Sequence, residues 1–165
     1  MTTSPAPTRS EPDLATVVRD AVARAVAVAG LAGVALIHVL DSPGSFQEQA
    51  YKGWLYVGLI AGCFLTAAAL VRSSDLRAWV AAVLLPLGAI AGFVVSRTVG
   101  LPGGADDIGN WTEPLGLASL VVEGSLVALA GAMLAESRMR ASALYRRFTA
   151  TGACFTGGPQ LPVPR

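Results

Sequence analysis

The sequence predicts an all-α protein, a membrane four-helix bundle with both termini in the cytoplasm. The first observation is composition: 53% of the 165 residues are hydrophobic and 14% are charged, whereas an ordinary soluble domain carries about 25% charged residues. The second is a set of four long apolar runs, and the third is the uneven placement of the arginines. A soluble chain with a mean hydropathy of +0.58 could not cover its surface with polar groups, so a lipid bilayer is expected around it.

The four apolar runs are the predicted membrane spans, at residues 21–40, 54–71, 76–96 and 115–135. A helix of about 20 residues crosses a hydrocarbon core of about 30 Å. Each run is apolar around its whole circumference, which is typical of helices that face lipid and not of a soluble bundle with amphipathic faces. One transmembrane domain, residues 21–135, is therefore predicted.

The flanking segments have a different composition. Residues 1–20 are rich in Pro, Ser and Thr, which predicts a flexible cytoplasmic tail. Residues 136–148 contain four arginines, so they are expected either to lie as a basic helix on anionic lipid or to extend the fourth span into water. Residues 149–165 carry three prolines, and this segment is predicted to be disordered.

The orientation follows from the basic residues. Ten of the twelve lie in the N-terminal region, in the connection between spans two and three, and in the C-terminal segment. Because Lys and Arg accumulate on the cytoplasmic side, the chain is expected to be a multi-pass protein of the cell membrane. Its two acidic connections, at residues 41–53 and 97–114, would then lie outside. The net charge of +1 gives no support for a nucleic-acid partner.

Seven ionisable residues of the outer side form the candidate polar cluster: His38, Asp41, Arg97, Asp106, Asp107, Glu113 and Glu123. Glu123 is the most informative of these, since a carboxylate inside the membrane costs about 2.5–3.5 kcal/mol. It must be paired, protonated or hydrated. Two interpretations are open: a carboxylate that handles protons or cations, or a structural partner of Arg97 or of a hydroxyl such as Ser119 or Ser96.

His38 is the only histidine and precedes Asp41 by three residues, which places both on one face of a helix. Together with the outer carboxylates it could form a metal site, or it could be a hydrogen-bonded structural residue. A single histidine excludes a bis-histidine haem within one protomer and leaves open a haem between two protomers. No cofactor is predicted, and whether a metal binds stays open.

Arg97 and the acids of the second outer connection also permit two interpretations. Arg97 could bind a lipid phosphate or a ligand anion, or it could pair with Asp106, Asp107 or Glu123. The acids lack EF-hand spacing, so they could chelate a cation or form a solvated acidic loop. The pairs Gly58/Gly62 and Gly88/Gly92 have the spacing that lets helix backbones approach closely.

Three stretches carry a resemblance to a known group of proteins. Residues 37–40 read IHVL and are followed by Pro43 and Glu48, residues 96–103 read SRTVGLPG, and residues 113–117 read EPLGL. In this combination the chain resembles a family of small bacterial, mainly actinobacterial, four-span integral membrane proteins. The resemblance covers about residues 25–135. It implies a four-helix membrane protein, and the family has no assigned activity to carry across.

Three functions remain open at this stage. No hydrolase, nucleotide-binding, thiol-redox or metalloprotease motif occurs, so an enzyme is not expected. The leading interpretation is a structural, accessory or partner-binding membrane protein, whose partner would be another copy of the chain or another membrane protein. The second is a small transporter or proton- or cation-coupled protein that uses Glu123, Arg97 and His38. The third is a membrane metal or redox protein.

Overall fold

The structure is a computed structural model that describes residues 14–153, without the side chains of Leu144 and residues 147–153. This part of the chain forms four α-helices: α1 (Leu14–Glu48), α2 (Ala50–Arg72), α3 (Leu76–Thr98) and α4 (Pro114–Ala153). All four are long and apolar enough to cross a membrane. The predicted all-helical architecture with four candidate spans is thereby confirmed.

The helices are longer than the apolar runs that predicted them. Helix α1 already begins at Leu14, so the last part of the predicted flexible tail is helical. Helix α4 continues without a break through residues 136–148 to Ala153. An apolar run marks where a membrane fits, whereas backbone hydrogen bonding continues into polar sequence until a breaker intervenes. The remaining parts of the two predicted tails, residues 1–13 and 154–165, lie outside the described residues.

The connection between α1 and α2 differs from the expected outer loop of residues 41–53. That prediction is wrong, because both helices extend into this region and only Gln49, with extended backbone angles, separates them. The Phe46 ring packs directly on Gly53, where a Cβ would come within 2.4 Å of the ring. This contact closes the hairpin. Pro43 is accommodated within α1.

The bundle buries an apolar core. Leu31 and Val34 of α1, Leu70 of α2 and Ala130 of α4 are completely buried in it. Helix α1 packs against α2 and α4, and α3 packs against α4. Helix α2 contacts α3 less extensively than it contacts α1. A space is therefore left between α2 and α3.

The segment between α3 and α4, residues 99–113, folds over one end of the bundle, which we call the loop end. It contains a single turn of 3-10 helix, Ala105–Asp107. Gly109 adopts φ +83°, a left-handed conformation that favours glycine, and its amide donates to the carbonyl of Arg97 at 2.9 Å. The Tyr51 hydroxyl donates to the Pro102 carbonyl at 3.0 Å. These bonds hold the segment against α2 and α3.

Candidate functional site

A cavity of about 450 Å³ lies at the loop end, between the four helices and beneath residues 99–113. We call it the loop-end cavity. Six of the seven candidate residues line it, namely His38, Asp41, Arg97, Asp107, Glu113 and Glu123, whereas Asp106 does not. Most of the predicted cluster therefore shares one space, although the residues come from α1, α3, α4 and the connecting segment.

His38 and Glu123 form the deepest polar pair of the cavity. Glu123 is 1% exposed and His38 is 8% exposed. The distance between His38 Nε2 and Glu123 Oε1 is 3.8 Å. The Ser119 hydroxyl, one turn away on α4, donates to Glu123 Oε1 at 2.6 Å. Ser119 was among the expected partners of Glu123, and His38 was not.

One hydrogen bond of His38 determines which of its ring nitrogens carries a hydrogen. His38 Nδ1 lies 2.9 Å from the Val34 carbonyl oxygen. A carbonyl oxygen only accepts, so Nδ1 carries a hydrogen and donates it. The other ring nitrogen, Nε2, is left facing Glu123. Nε2 and Glu123 Oε1 are 3.8 Å apart, so they form a close polar pair without a direct hydrogen bond.

Arg97 pairs with acids of the connecting segment and not with Glu123. It is 6% exposed, and its ion-pair partners among the described residues are Asp107 and Glu113. Its guanidinium carbon also lies 5.1 Å from the centre of the Phe93 ring. Of the pairings left open for Arg97, the structure shows the one with Asp107 and not the one with Glu123. Arg97 anchors the connecting segment to α3 and to the start of α4.

Lys52 supports the same segment from α2, and the sequence had given it no role. Its ammonium lies 3.4 Å from Asp107 Oδ2 and 3.2 Å from Glu48 Oε2. Partial burial by itself would raise the pKa of Asp107. The hydrogen bond from Arg97 and the positive charge of Lys52 outweigh it, so the pKa lies below its ordinary value. The only available signal was that Lys52 is the single lysine of the chain.

Asp41 lies close to Tyr56, a second residue that the sequence had not assigned to the site. The Tyr56 hydroxyl is near both Asp41 and Ser45. The Tyr56 ring meets the His38 ring edge-on, with 4.8 Å between the centroids. Ser45 is 2% exposed, and no partner satisfies the geometry of a hydrogen bond to its Oγ. The wall of the cavity formed by α1 and α2 therefore retains unused hydrogen-bonding capacity.

The metal interpretation gains no support from the geometry. Among residues 14–153, no group of three or more His, Cys, Asp or Glu side chains is arranged to hold a metal ion. His38 and Asp41 both line the cavity, but Asp41 faces Tyr56 and His38 faces Glu123. The carboxylates near Arg97 and Lys52 are already neutralised by those side chains.

The paired glycines do not pack the helices as their spacing predicted. Only Gly62 lies in a tight contact, since a Cβ on it would come within 2.8 Å of Leu85 Cδ2. At Gly58, Gly88 and Gly92 a Cβ would meet no atom within 4 Å. These three glycines line the cavity. They widen the space between α2 and α3 and do not close it.

Comparison with protein-family models, with curated proteins and with solved structures gave no match. The resemblance to the small bacterial four-span family thus stays a prediction. The functional argument rests on the geometry of the loop-end cavity.

Proposed function

We propose that the chain is a multi-pass protein of a bacterial cell membrane, with both termini in the cytoplasm and the loop end outside. The distribution of arginines supports this orientation, because the basic segments flank the ends of the helices opposite residues 99–113. The loop-end cavity would then lie in the outer half of the membrane, beneath residues 99–113. Labelling of single-cysteine variants with a membrane-impermeant maleimide in intact cells tests it: Asp106→Cys is expected to react, and Ser74→Cys is not.

We infer further that the protein is a small proton- or cation-coupled membrane protein. The observation that carries this function is the buried His38–Glu123 pair, in which a basic ring nitrogen and a carboxyl oxygen face each other at 3.8 Å within one cavity. Ionisable residues inside membrane segments commonly mark proton or ion pathways. Cys63 of α2 also lies near Glu123. Arg97 and Lys52 pair with other acids, so no permanent cation fixes the charge of the His38–Glu123 pair. This is a binding and proton-handling role and not catalysis.

The first experiment tests whether Glu123 gains and loses a proton. Infrared difference spectra of the purified protein are recorded across a pH titration. The pH-dependent carboxyl bands of the wild type are expected to include one component that is missing in Glu123→Gln. Glu48→Gln is the matched control, because Glu48 lies at the cavity rim with 61% of its side chain exposed. Carboxyl bands that change with pH in the same way in the wild type and in Glu123→Gln would contradict the assignment.

Transport is tested separately in proteoliposomes that contain a pH-sensitive dye. We expect proton movement when a membrane potential or a cation gradient is imposed, and its loss in Glu123→Gln but not in Glu48→Gln. Movement that is identical in the wild type and Glu123→Gln would overturn the coupled function.

A second function, that of an accessory or partner-binding protein, is favoured by a different observation. The connecting segment is firmly anchored and yet exposes three apolar side chains, with Val99 76%, Ile108 48% and Trp111 43% exposed. Exposed apolar patches commonly mark contacts with other proteins or with membranes. Photo-crosslinking from position 108 in native membranes is expected to capture a second copy or another membrane protein. Products with lipid alone would exclude this role.

A further inference from the structure

The loop-end cavity has an apolar compartment that the proton-handling role does not require. Gly58 of α2 and Gly88 and Gly92 of α3 form its wall, and we call this compartment the glycine cleft. All three glycines are exposed, and a Cβ added to any of them would meet open space. Close helix packing is the usual role of glycines at this spacing. Here they instead leave room between two helices that contact each other only weakly.

The polar compartment has a surplus of negative charge. Five carboxylates line the cavity, from Asp41, Glu48, Asp107, Glu113 and Glu123, against the two permanent cations of Lys52 and Arg97. Glu48, Asp107 and Glu113 are the acids that pair with those cations. Asp41 and Glu123 have no arginine or lysine partner among the described residues. The unpaired charge is thus concentrated on the α1 and α4 sides, next to His38.

The ring of Tyr56 and the buried hydroxyl of Ser45 lie in the same part of the cavity. An aromatic face attracts a cation, by about 0.5–2 kcal/mol depending on desolvation. The Oγ of Ser45, a residue that is 2% exposed, lies near the Tyr56 hydroxyl, but no partner meets the full geometry of a hydrogen bond to it. A buried polar atom without a partner is unfavourable. A ligand with a polar, positively charged head would satisfy it.

We propose that the loop-end cavity binds an amphipathic organic cation, with its charged head between Asp41 and Glu123 and its apolar part in the glycine cleft. The assignment rests on the proton-handling role of the His38–Glu123 pair, since the bound cation replaces a proton as the counter-charge of Glu123. An inorganic cation would leave the cleft unused. A neutral apolar molecule would leave the carboxylates without a counter-ion.

Two probes of the same shape separate charge from apolar packing. Benzyldimethylammonium is a cation with an aromatic body and one N–H that can donate to Ser45 Oγ, and isobutylbenzene is its uncharged carbon isostere. Binding to the purified protein is measured by isothermal titration calorimetry in detergent, in two buffers of different ionisation enthalpy so that proton release is also counted. The cation is expected to bind at least about tenfold more tightly than the isostere and to release up to one proton per molecule bound.

Variants locate the site. Gly88→Leu fills the glycine cleft and is expected to weaken cation binding at least about tenfold. Its matched control is Gly131→Leu on α4, where a side chain also meets open space but does not reach the cavity. The control is expected to bind like the wild type. Glu123→Gln is expected to abolish both the preference for the cation and the release of the proton, and retention of the helical circular dichroism spectrum shows that each variant folds.

Three results would overturn the proposal. Equal binding of both probes would indicate a purely apolar cleft, such as one for a lipid chain. Equal affinity of Gly88→Leu and Gly131→Leu for the cation would place its site elsewhere. No binding of the cation, combined with a normal titrating carboxyl band of Glu123, would reject the ligand class and leave the proton-handling role intact.

Discussion

His38 of α1 and Glu123 of α4 face each other across the bundle, with His38 Nε2 3.8 Å from Glu123 Oε1. Eighty-five positions separate them in the chain. The pair lines a cavity that lies beneath the segment anchored by Arg97. It therefore borders an open space and is not enclosed in the apolar core.

Ser119→Ala should lower the stability of the protein and shift the infrared band of Glu123. The hydroxyl that donates to Oε1 is lost in a site that is almost completely buried, so we expect a destabilisation of about 1 kcal/mol and a shifted infrared carboxyl band. Ser125→Ala is the control, because Ser125 is exposed on the same helix and its hydroxyl donates to the Val121 carbonyl. If the two variants had the same stability and the same infrared band, the hydrogen bond from Ser119 to Glu123 would make no measurable contribution.

Arg97→Gln should release the connecting segment from the bundle. Two carboxylates lose their shared cation, and removing one member of a buried ion pair costs about 3–5 kcal/mol, less here because Asp107 and Glu113 are partly exposed. Proteolysis within residues 101–111 should accelerate. Arg97→Lys should rescue it only in part, because Arg97 binds Asp107 and Glu113 through two separate nitrogens of its planar guanidinium, and lysine has only one nitrogen. Arg77→Gln, at an exposed position of the same helix, should have no effect.

The anchoring of the segment should depend on acidic pH. The pKa of Asp107 is lower in the folded protein than in the unfolded chain, so its contribution to stability is fully present above the ordinary value of about 3.9. It is lost as the pH falls through the lowered pKa. Thermal unfolding in detergent should show this loss below about pH 4. In Asp107→Asn the dependence should be reduced, and an unchanged profile would show that another group is responsible.

Gly53→Ala should disrupt the hairpin of α1 and α2. The new methyl group would lie within 2.4 Å of the Phe46 ring, and overpacking of this kind costs about 1–3 kcal/mol. Gly58→Ala is the control, since it meets open space on the same helix and should be neutral or stabilising by up to about 1 kcal/mol. The double variant Gly53→Ala/Phe46→Ala should recover part of the loss. Equal stability of the two single variants would contradict the close contact.

Much of the candidate site could be predicted from residue type alone. A carboxylate and a histidine in otherwise apolar helices are costly, so their positions indicated that they needed partners. Lys52, Tyr56 and Ser45 were not found, because each has an ordinary interpretation as a residue near a helix end. The hairpin at Gln49 was not predicted either. The packing of Phe46 on Gly53 across this connection was not indicated by the sequence either.

By itself, the sequence determined that the chain forms four helices long and apolar enough for a membrane, and that ionisable residues gather towards one end. Only the tertiary structure decided the partners: Arg97 with Asp107 and Glu113, and Glu123 with His38 and Ser119. The physical reason is that helices apolar around their whole circumference carry no pattern that fixes their rotation about the axis. The glycine cleft could not be predicted for a related reason. The spacing of glycines permits close packing of two helices but does not determine the distance between them.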